Sequence, residues 1–201
     1  MHTNDLVASL RRTRGSRPLT TGEVALASLM FGTSIDYGRV RIHARRYMPF
    51  QPINCCMAPN GSLYFHRSCF LPDYTRGDPP AVHWFLHEMV HVWQFQMGYA
   101  VRLRGAVRVG LPYAYDLKPG RTLADYNMEA QGDLLADYFV LKHLRQPRAM
   151  RQPRNADNLP LYEQVLAGFL RDPSSVANLP RDWGRWLLRW KGKRVSTEKI
   201  Y

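Results

Sequence analysis

His87-Glu88-Met89-Val90-His91 is the stretch that decides how the rest of this chain is understood. Positions four apart share one face of an α-helix, so His87 and His91 can offer two imidazoles to one metal ion. Glu88 then lies beside them, placed to take a proton from a metal-activated water. Histidine is scarce here, at seven residues in 201, so the pattern is not a product of composition. The flanks also read as helix. Asp78-Pro79-Pro80 offers an N-cap and prolines suited to a first turn. Trp84, Phe85, Met89, Val92 and Phe95 give apolar positions, and Gly98 a stop. We expect a helix from about Ala81 to Met97 with the motif in its middle.

Two histidines do not complete a catalytic zinc site, which takes three protein ligands and keeps one position open. Glu129, 38 residues beyond His91, is the candidate third ligand. It falls in a second expected helix, from about Thr122 or Asp125 to Leu144, which Pro147 and Pro153 follow. Asp133 lies one turn further on the same face, where it can accept the N–H of a ligating imidazole. The rivals are the cysteines, Asp137 and His143. Asp137 continues the Glu129–Asp133 face and would orient a ligand, whereas His143 sits at the helix end and is expected in solvent. One Zn²⁺ held by His87, His91 and Glu129, with Glu88 as general base, makes a hydrolytic centre. Tyr113, Tyr115, Tyr126 and His83 are candidates for stabilising an oxyanion, and the sequence does not choose among them.

Elsewhere the chain reads as follows. Thr20 and Glu23 form a capping-box signature ahead of a helix over Glu23–Phe31, with Gly32 as its stop. Val40 and Ile42 alternate with Arg39, Arg41 and His43, as in a short half-buried strand with an exposed His43. Pro59-Asn60-Gly61 between Cys55–Ala58 and Ser62–His66 predicts a hairpin, whose edge could pair with an extended peptide. Val101 to Asp116 suggests an extended connector or strand pair. A further helix is expected over Leu159–Leu170, packing through Leu161, Val165, Leu166 and Phe169. Residues 1–17 read as a flexible basic segment and 18–201 as one domain, with a basic tail carrying Trp183, Trp186 and Trp190.

Hydrophobic content of 45% and charged content of 22% describe a globular chain. Net charge is +12, from 28 Lys and Arg against 16 Asp and Glu, which permits attraction to anionic surfaces. The basic residues are scattered and accompany no nucleic-acid module, so specific nucleic-acid binding is not expected. No apolar run approaches the roughly 18 residues of a membrane span. The N-terminus has no apolar signal core, so no export signal is expected in the chain itself. Cys55, Cys56 and Cys69 are odd in number and form no C-x-x-C pair, so we expect free thiols. The alternative is one disulfide from Cys69 to Cys55 or Cys56 in an oxidising compartment.

The zinc-helix motif followed by Glu129-x-x-x-Asp133 resembles the gluzincin branch of zinc metallopeptidases, although 38 residues is a longer spacing than in thermolysin-like members. A closer resemblance runs from about Leu19 to Leu144. Leu19 to Leu26, Met57 to Gly61, Tyr64-Phe65, His87 to Gln94 and Tyr126 to Asp133 look like the metallopeptidase domains of type VI secretion. These occur as C-terminal extensions of VgrG spike proteins or as small Vgr-related, Rhs-like proteins. The resemblance implies an α+β, zincin-like metallopeptidase, mostly helical, with a small antiparallel sheet or hairpin beside the active-site helix. It implies an antibacterial effector delivered by a VgrG spike, as extension or cargo, and active in the target-cell periplasm. A peptide, protein or peptidoglycan-peptide substrate and an immunity protein would be its partners. Two alternatives remain at this stage: a non-catalytic zinc-binding adaptor on the spike, and a basic binder of nucleic acid or anionic surfaces.

Overall fold

The computed structural model describes residues 15–106 and 111–182. Its elements in chain order are β1 (Ser16–Pro18), α1 (Thr21–Phe31), β2 (Arg41–His43), β3 (Cys56–Met57) and β4 (Leu63–Phe65). Then follow α2 (Pro79–Gln96), α3 (Val101–Ala106), α4 (Met128–Lys142) and α5 (Leu159–Arg171), with short 3₁₀ turns between them. The result is a mixed α/β fold, about half helical, with one four-stranded sheet in the order β1-β2-β4-β3. None of the helices is long and apolar enough to cross a membrane among the described residues.

The sheet departs from the expected antiparallel arrangement. β1 runs antiparallel to β2 and β3 antiparallel to β4, but β2 and β4 are parallel. The cause is the hairpin itself. β3 takes the outer edge, and β4 returns between β3 and β2 in the same direction as β2. Cys56 faces Phe65 and Met57 faces Tyr64 across the hairpin. Gly61 turns it with φ of 81°, where Phe95 Cδ1 would lie only 2.8 Å from an added Cβ. Phe95 therefore covers this turn and is 39% exposed, not part of the core as expected.

α1 starts as its capping box dictates: Thr20 Oγ1 accepts from Glu23 N at 3.1 Å, and Glu23 Oε2 from Thr20 N at 2.9 Å. The same Glu23 carboxylate meets Arg17 at 2.7 Å through both its oxygens. Ser16 and Arg17 therefore belong to the folded body; residues 1–14 of the expected flexible segment lie outside the described residues. The Trp183, Trp186 and Trp190 tail also lies outside them.

α2 is the central element. Asp78 Oδ1 accepts from Ala81 N at 3.0 Å, the two prolines sit in the first turn, and Gly98, with φ of 89°, follows its end. Every residue from Phe85 to Gln94 is buried, because β4 covers one side of α2 and α4 the other. Aromatic packing fixes the sheet side: Phe65 meets Trp84 edge-on at 5.0 Å, and Tyr74 stacks on Phe65 at 4.6 Å and on Phe85 at 5.5 Å. Toward its C-terminus Trp93 meets Phe169 of α5 at 5.3 Å and Phe31 of α1 at 6.4 Å.

Two other expectations are corrected. Residues 101–106 are helical, not extended, because Val101 and Arg104 turn inward one helical turn apart and Arg104 Nε reaches Asp182 Oδ2 at 3.1 Å. Residues 107–110 lie outside the described residues. The second helix is interrupted: a 3₁₀ turn at Leu123–Asp125 comes first, and α4 begins only at Met128. Tyr126 ends the first, and Asn127, in extended backbone, caps the second, its Oδ1 accepting from Glu129 N and Ala130 N at 2.9 and 3.0 Å. α5 follows its expected span, with Tyr162 joining Val165, Leu166 and Phe169 on the buried face.

Candidate metal centre

A helix that is buried all round must find partners for each polar side chain it carries. α2 brings His83, His87, Glu88, His91 and Gln94 into the core, each 7% exposed or less. α4 lies antiparallel beside it and presents Glu129, Asp133 and Asp137 one turn apart. As the number falls along α2 it rises along α4, giving His91 opposite Glu129, His87 opposite Asp133 and His83 opposite Asp137.

The structure brings His87, His91 and Glu129 together as one cluster. His87 Nε2 and His91 Nε2 are 3.1 Å apart, and Glu129 Oε2 lies 3.3 Å from the first and 3.2 Å from the second. Tetrahedral zinc with bonds of about 2.0–2.1 Å has ligand atoms about 3.3–3.4 Å apart. The three donors thus lie at the edge lengths of a tetrahedral face. The donor set also suits zinc, being two imidazoles and one carboxylate.

Both rings are oriented from behind. His87 Nδ1 lies 2.8 Å from Asp133 Oδ1, as the Glu129-x-x-x-Asp133 spacing suggested. His91 Nδ1 lies 2.9 Å from Gln94 Oε1. Acceptors at both Nδ1 atoms hold a proton there, so that each Nε2, once it gives up its own proton, turns a lone pair toward the shared centre. Gln94 itself is fixed, its Nε2 donating to Gln131 Oε1 at 2.9 Å and Met128 O at 3.2 Å. Gln131 Nε2 in turn donates to Leu123 O and Asn178 O. Neither glutamine was singled out by the sequence, although Gln94, three residues after His91, shares its helix face. Gly132 of α4 lies directly behind His87. An added Cβ would stand 2.6 Å from His87 Cε1, so glycine is what lets the α4 backbone lie against the imidazole.

Charge in the cluster is strongly coupled. Burial opposes a charged His87, but Asp133, Glu129 and Glu88 outweigh it and push its pKa up to about 10. Burial also opposes a charged His91, and Glu129 again raises it. Burial would raise the Glu129 carboxyl, yet His91 and His87 hold it well below the usual carboxylate range. Glu88 goes the other way: burial raises it, against the pull of His91 and His87. Its Oε2 is buried without a hydrogen-bond partner among the described residues. Beside Glu88 lies Cys56 of β3, whose thiol is pushed up by burial and by that carboxylate.

The remaining candidates separate cleanly. Asp137 does not orient a residue of the cluster; it accepts from Tyr115 Oη at 2.5 Å, Arg151 N at 2.5 Å and Gln152 N at 3.0 Å, and pairs with His83 Nε2 at 2.8 Å. That occupies His83 and Tyr115, and Tyr115 also contacts the Tyr162 hydroxyl. Tyr126 Oη donates to Asp116 O at 3.0 Å. Tyr113 is the one of the four that lies at the cluster, its ring 6.0 Å from the His87 ring and 46% exposed. His143 is exposed at the end of α4, stacked on Phe139 at 4.7 Å. Cys55, Cys56 and Cys69 are free thiols and none joins the cluster. His43 stacks on Tyr64 at 4.3 Å, away from the three donors; burial and the neighbouring arginines lower its pKa to about 4.

Fold and cluster together define a mixed α/β protein with a candidate His-His-Glu metal site. No protein-family profile matches the chain. It is 44% identical over 134 residues to the type VI secretion system spike protein VgrG2b of Pseudomonas aeruginosa, covering 63% of this chain and 13% of that protein. The solved effector domain of Pseudomonas aeruginosa VgrG2b is 38% identical, with a TM-score of 0.62 over 81% of this chain and 93% of that one. The chain belongs to the family of the VgrG2b effector domain. It spans about an eighth of the length of the whole spike protein it matches.

Proposed function

We propose that this chain is a zinc-dependent hydrolase of peptide or amide bonds, of gluzincin type, serving as an antibacterial effector of type VI secretion. One observation carries the chemistry: three donors spaced close to tetrahedral edge lengths stand beside the buried Glu88 carboxylate, whose Oε2 has no hydrogen-bond partner among the described residues. Leaving such an atom unpaired costs about 1–3 kcal/mol, more for a charged group, and Asp133 Oδ2 behind His87 is unpaired in the same way, so both such carboxylate oxygens fall at this centre. When bound, zinc would supply Lewis-acid chemistry, acidifying a water molecule and polarising a carbonyl. His87, His91 and Glu129 would hold it, with Asp133 and Gln94 fixing the two rings.

Glu88 does the proton work in this reading. Its raised pKa, set by burial, brings it toward the range where a carboxylate can both accept a proton and return it. It takes the proton of the attacking water and hands it to the departing amine. β3 is the outer strand of the sheet and lies beside Glu88, so an extended peptide can add to that edge and set its carbonyl at the centre. Tyr113 would meet the developing oxyanion, a role supported by its ring lying 6.0 Å from the His87 ring. Delivery by a VgrG spike is supported by the kinship with the effector domain of a spike protein, and the target-cell periplasm is the proposed place of action. An immunity partner fits the same role.

The test is periplasmic expression in bacteria. Wild type should kill and Glu88→Ala, produced at the same level and still binding zinc, should not. Equal killing by both would end the catalytic reading and leave the non-catalytic adaptor.

A further inference from the structure

The segment between β2 and β3, residues 44–55, reverses the usual burial order. Gln51 is inside, at 4% exposure, while Met48, Phe50 and Ile53 are 50, 94 and 53% exposed. The inversion is held from within. Gln51 Oε1 accepts from Tyr47 N at 2.8 Å, and its Nε2 donates to Cys55 O at 2.8 Å and Tyr64 O at 2.9 Å. Gln51 N also closes a turn onto Met48 O at 3.1 Å. A glutamine with both ends of its amide engaged pegs the loop to the sheet and leaves the three apolar side chains outside. Scattered single apolar residues on a surface need no explanation, but three within six residues of one pegged loop do.

Charge around this loop has one sign. From Tyr37 to Pro72 there is no Asp or Glu, while Arg39, Arg41, Arg45, Arg46 and Arg67 fall in the same stretch. Arg45 and Arg46 are exposed at the loop's start; the Arg45 guanidinium lies over the Tyr64 ring at 5.5 Å and Arg46 Nη1 is 3.5 Å from Pro49 O. Basic groups thus flank the apolar tip at its base.

We propose that this loop is a membrane-contact element: Met48, Phe50 and Ile53 enter the interface of an anionic bilayer, and Arg45 and Arg46 meet its headgroup phosphates. A bilayer interface rewards both halves of the pattern, apolar burial and anionic attraction. A nucleic acid or soluble anionic polymer rewards the arginines alone and leaves Phe50 in water. The chain's own residues 183–201 hold six Lys and Arg against one Glu, the same sign as the loop, and so do not complement it. The contact stands whether or not the metal centre hydrolyses anything. Its consequence for the centre is positional, because β3 begins at Cys56, directly after the loop, and Cys56 lies beside Glu88.

The experiment is co-sedimentation of the full zinc-loaded chain with vesicles of phosphatidylglycerol and phosphatidylcholine, and with phosphatidylcholine alone. Wild type should pellet with the anionic vesicles and far less with the neutral ones. Phe50→Ser and, separately, Met48→Ser should each weaken partitioning several-fold to about tenfold, the order expected for one apolar side chain. Arg45→Ser with Arg46→Ser should weaken it similarly and flatten its salt dependence. All these residues are exposed, so thermal midpoints and zinc content should stay at wild-type values. Absence of wild-type binding to anionic vesicles at low salt overturns the proposal. So does binding that neither Phe50→Ser nor Met48→Ser weakens, since another basic segment then holds the lipid. Double-stranded DNA that binds with the same dependence on Arg45 and Arg46 and none on Phe50, while vesicles do not bind, overturns it in favour of an anionic polymer.

Discussion

Helices α2 and α4 meet in three rungs one turn apart, His91–Glu129, His87–Asp133 and His83–Asp137, and the first two behave unlike the third. Each pairs a histidine of α2 with a carboxylate of α4, at the same spacing along both helices. At the third rung the carboxylate is saturated: Asp137 is fully buried and faces His83, Tyr115 Oη and two backbone amides. A carboxylate in that state has no lone pair left for a cation. At the other end three donor atoms converge on one point, and Glu88 Oε2 and Asp133 Oδ2 have no partner among the described residues. Saturation of hydrogen bonding, not the presence of His and a carboxylate at helical spacing, separates a structural rung from a candidate metal site.

The comparison can be broken most severely at Asp137. Asp137→Ala should cost about 3–5 kcal/mol of unfolding free energy in denaturant titration, as removal of one partner from a buried charged network does, while zinc content stays at wild-type level. Loss of zinc without loss of stability would mean that the rungs had been assigned the wrong way round. Next in size, Asp133→Ala should weaken zinc affinity about 10–100-fold by competition with a chelator, and Gln94→Leu somewhat less, since each removes an acceptor behind a ring. Unchanged affinity in both would remove the orienting role.

A pH series on metal-free protein sharpens the same contrast. His87 carries a folded pKa raised to about 10, so its protonation stabilises the metal-free fold fully below an unfolded value of about 6.5. That contribution should fade as pH rises from there through about 10. Zinc takes the place of the proton, so the loaded protein should lack this decline, and zinc uptake near neutral pH should release protons into weakly buffered solution. Uptake without proton release would contradict the charge state derived for the cluster. The smallest effect is expected at Tyr113→Phe: half exposed and outside the donor set, it should leave stability within about 0.5 kcal/mol and zinc content unchanged. A drop in zinc content would make Tyr113 part of the holding machinery.

Much of this was legible in the chain. The capping box at Thr20 and Glu23, the Asp78-Pro79-Pro80 helix start and the Asn60-Gly61 hairpin act through local backbone chemistry, which spacing reports directly. The convergence of His87, His91, Glu129 and Asp133 followed from two helical faces. What the sequence hid was tertiary. Whether β2 and β4 run parallel depends on which edge the hairpin occupies. Arg104 is buried in α3 because it meets Asp182, 78 residues away, and a polar residue facing inward disguises helical periodicity. Asn127 read as an ordinary helix residue until its side chain was seen to cap α4. Gln94 and Gln131 carry no charge and no motif, so only their position behind His91 reveals them. The role of Gly132 is visible only from the imidazole lying against it.

The proposed function puts a metal at one end of this helix pair and none at the other. Its most direct measurement is zinc stoichiometry by elemental analysis of Glu129→Ala and Asp137→Asn, each purified beside wild type and dialysed against the same free zinc. The account predicts about one zinc per chain in wild type and Asp137→Asn, and a sharp loss in Glu129→Ala. Full occupancy in Glu129→Ala, or a loss confined to Asp137→Asn, would contradict it.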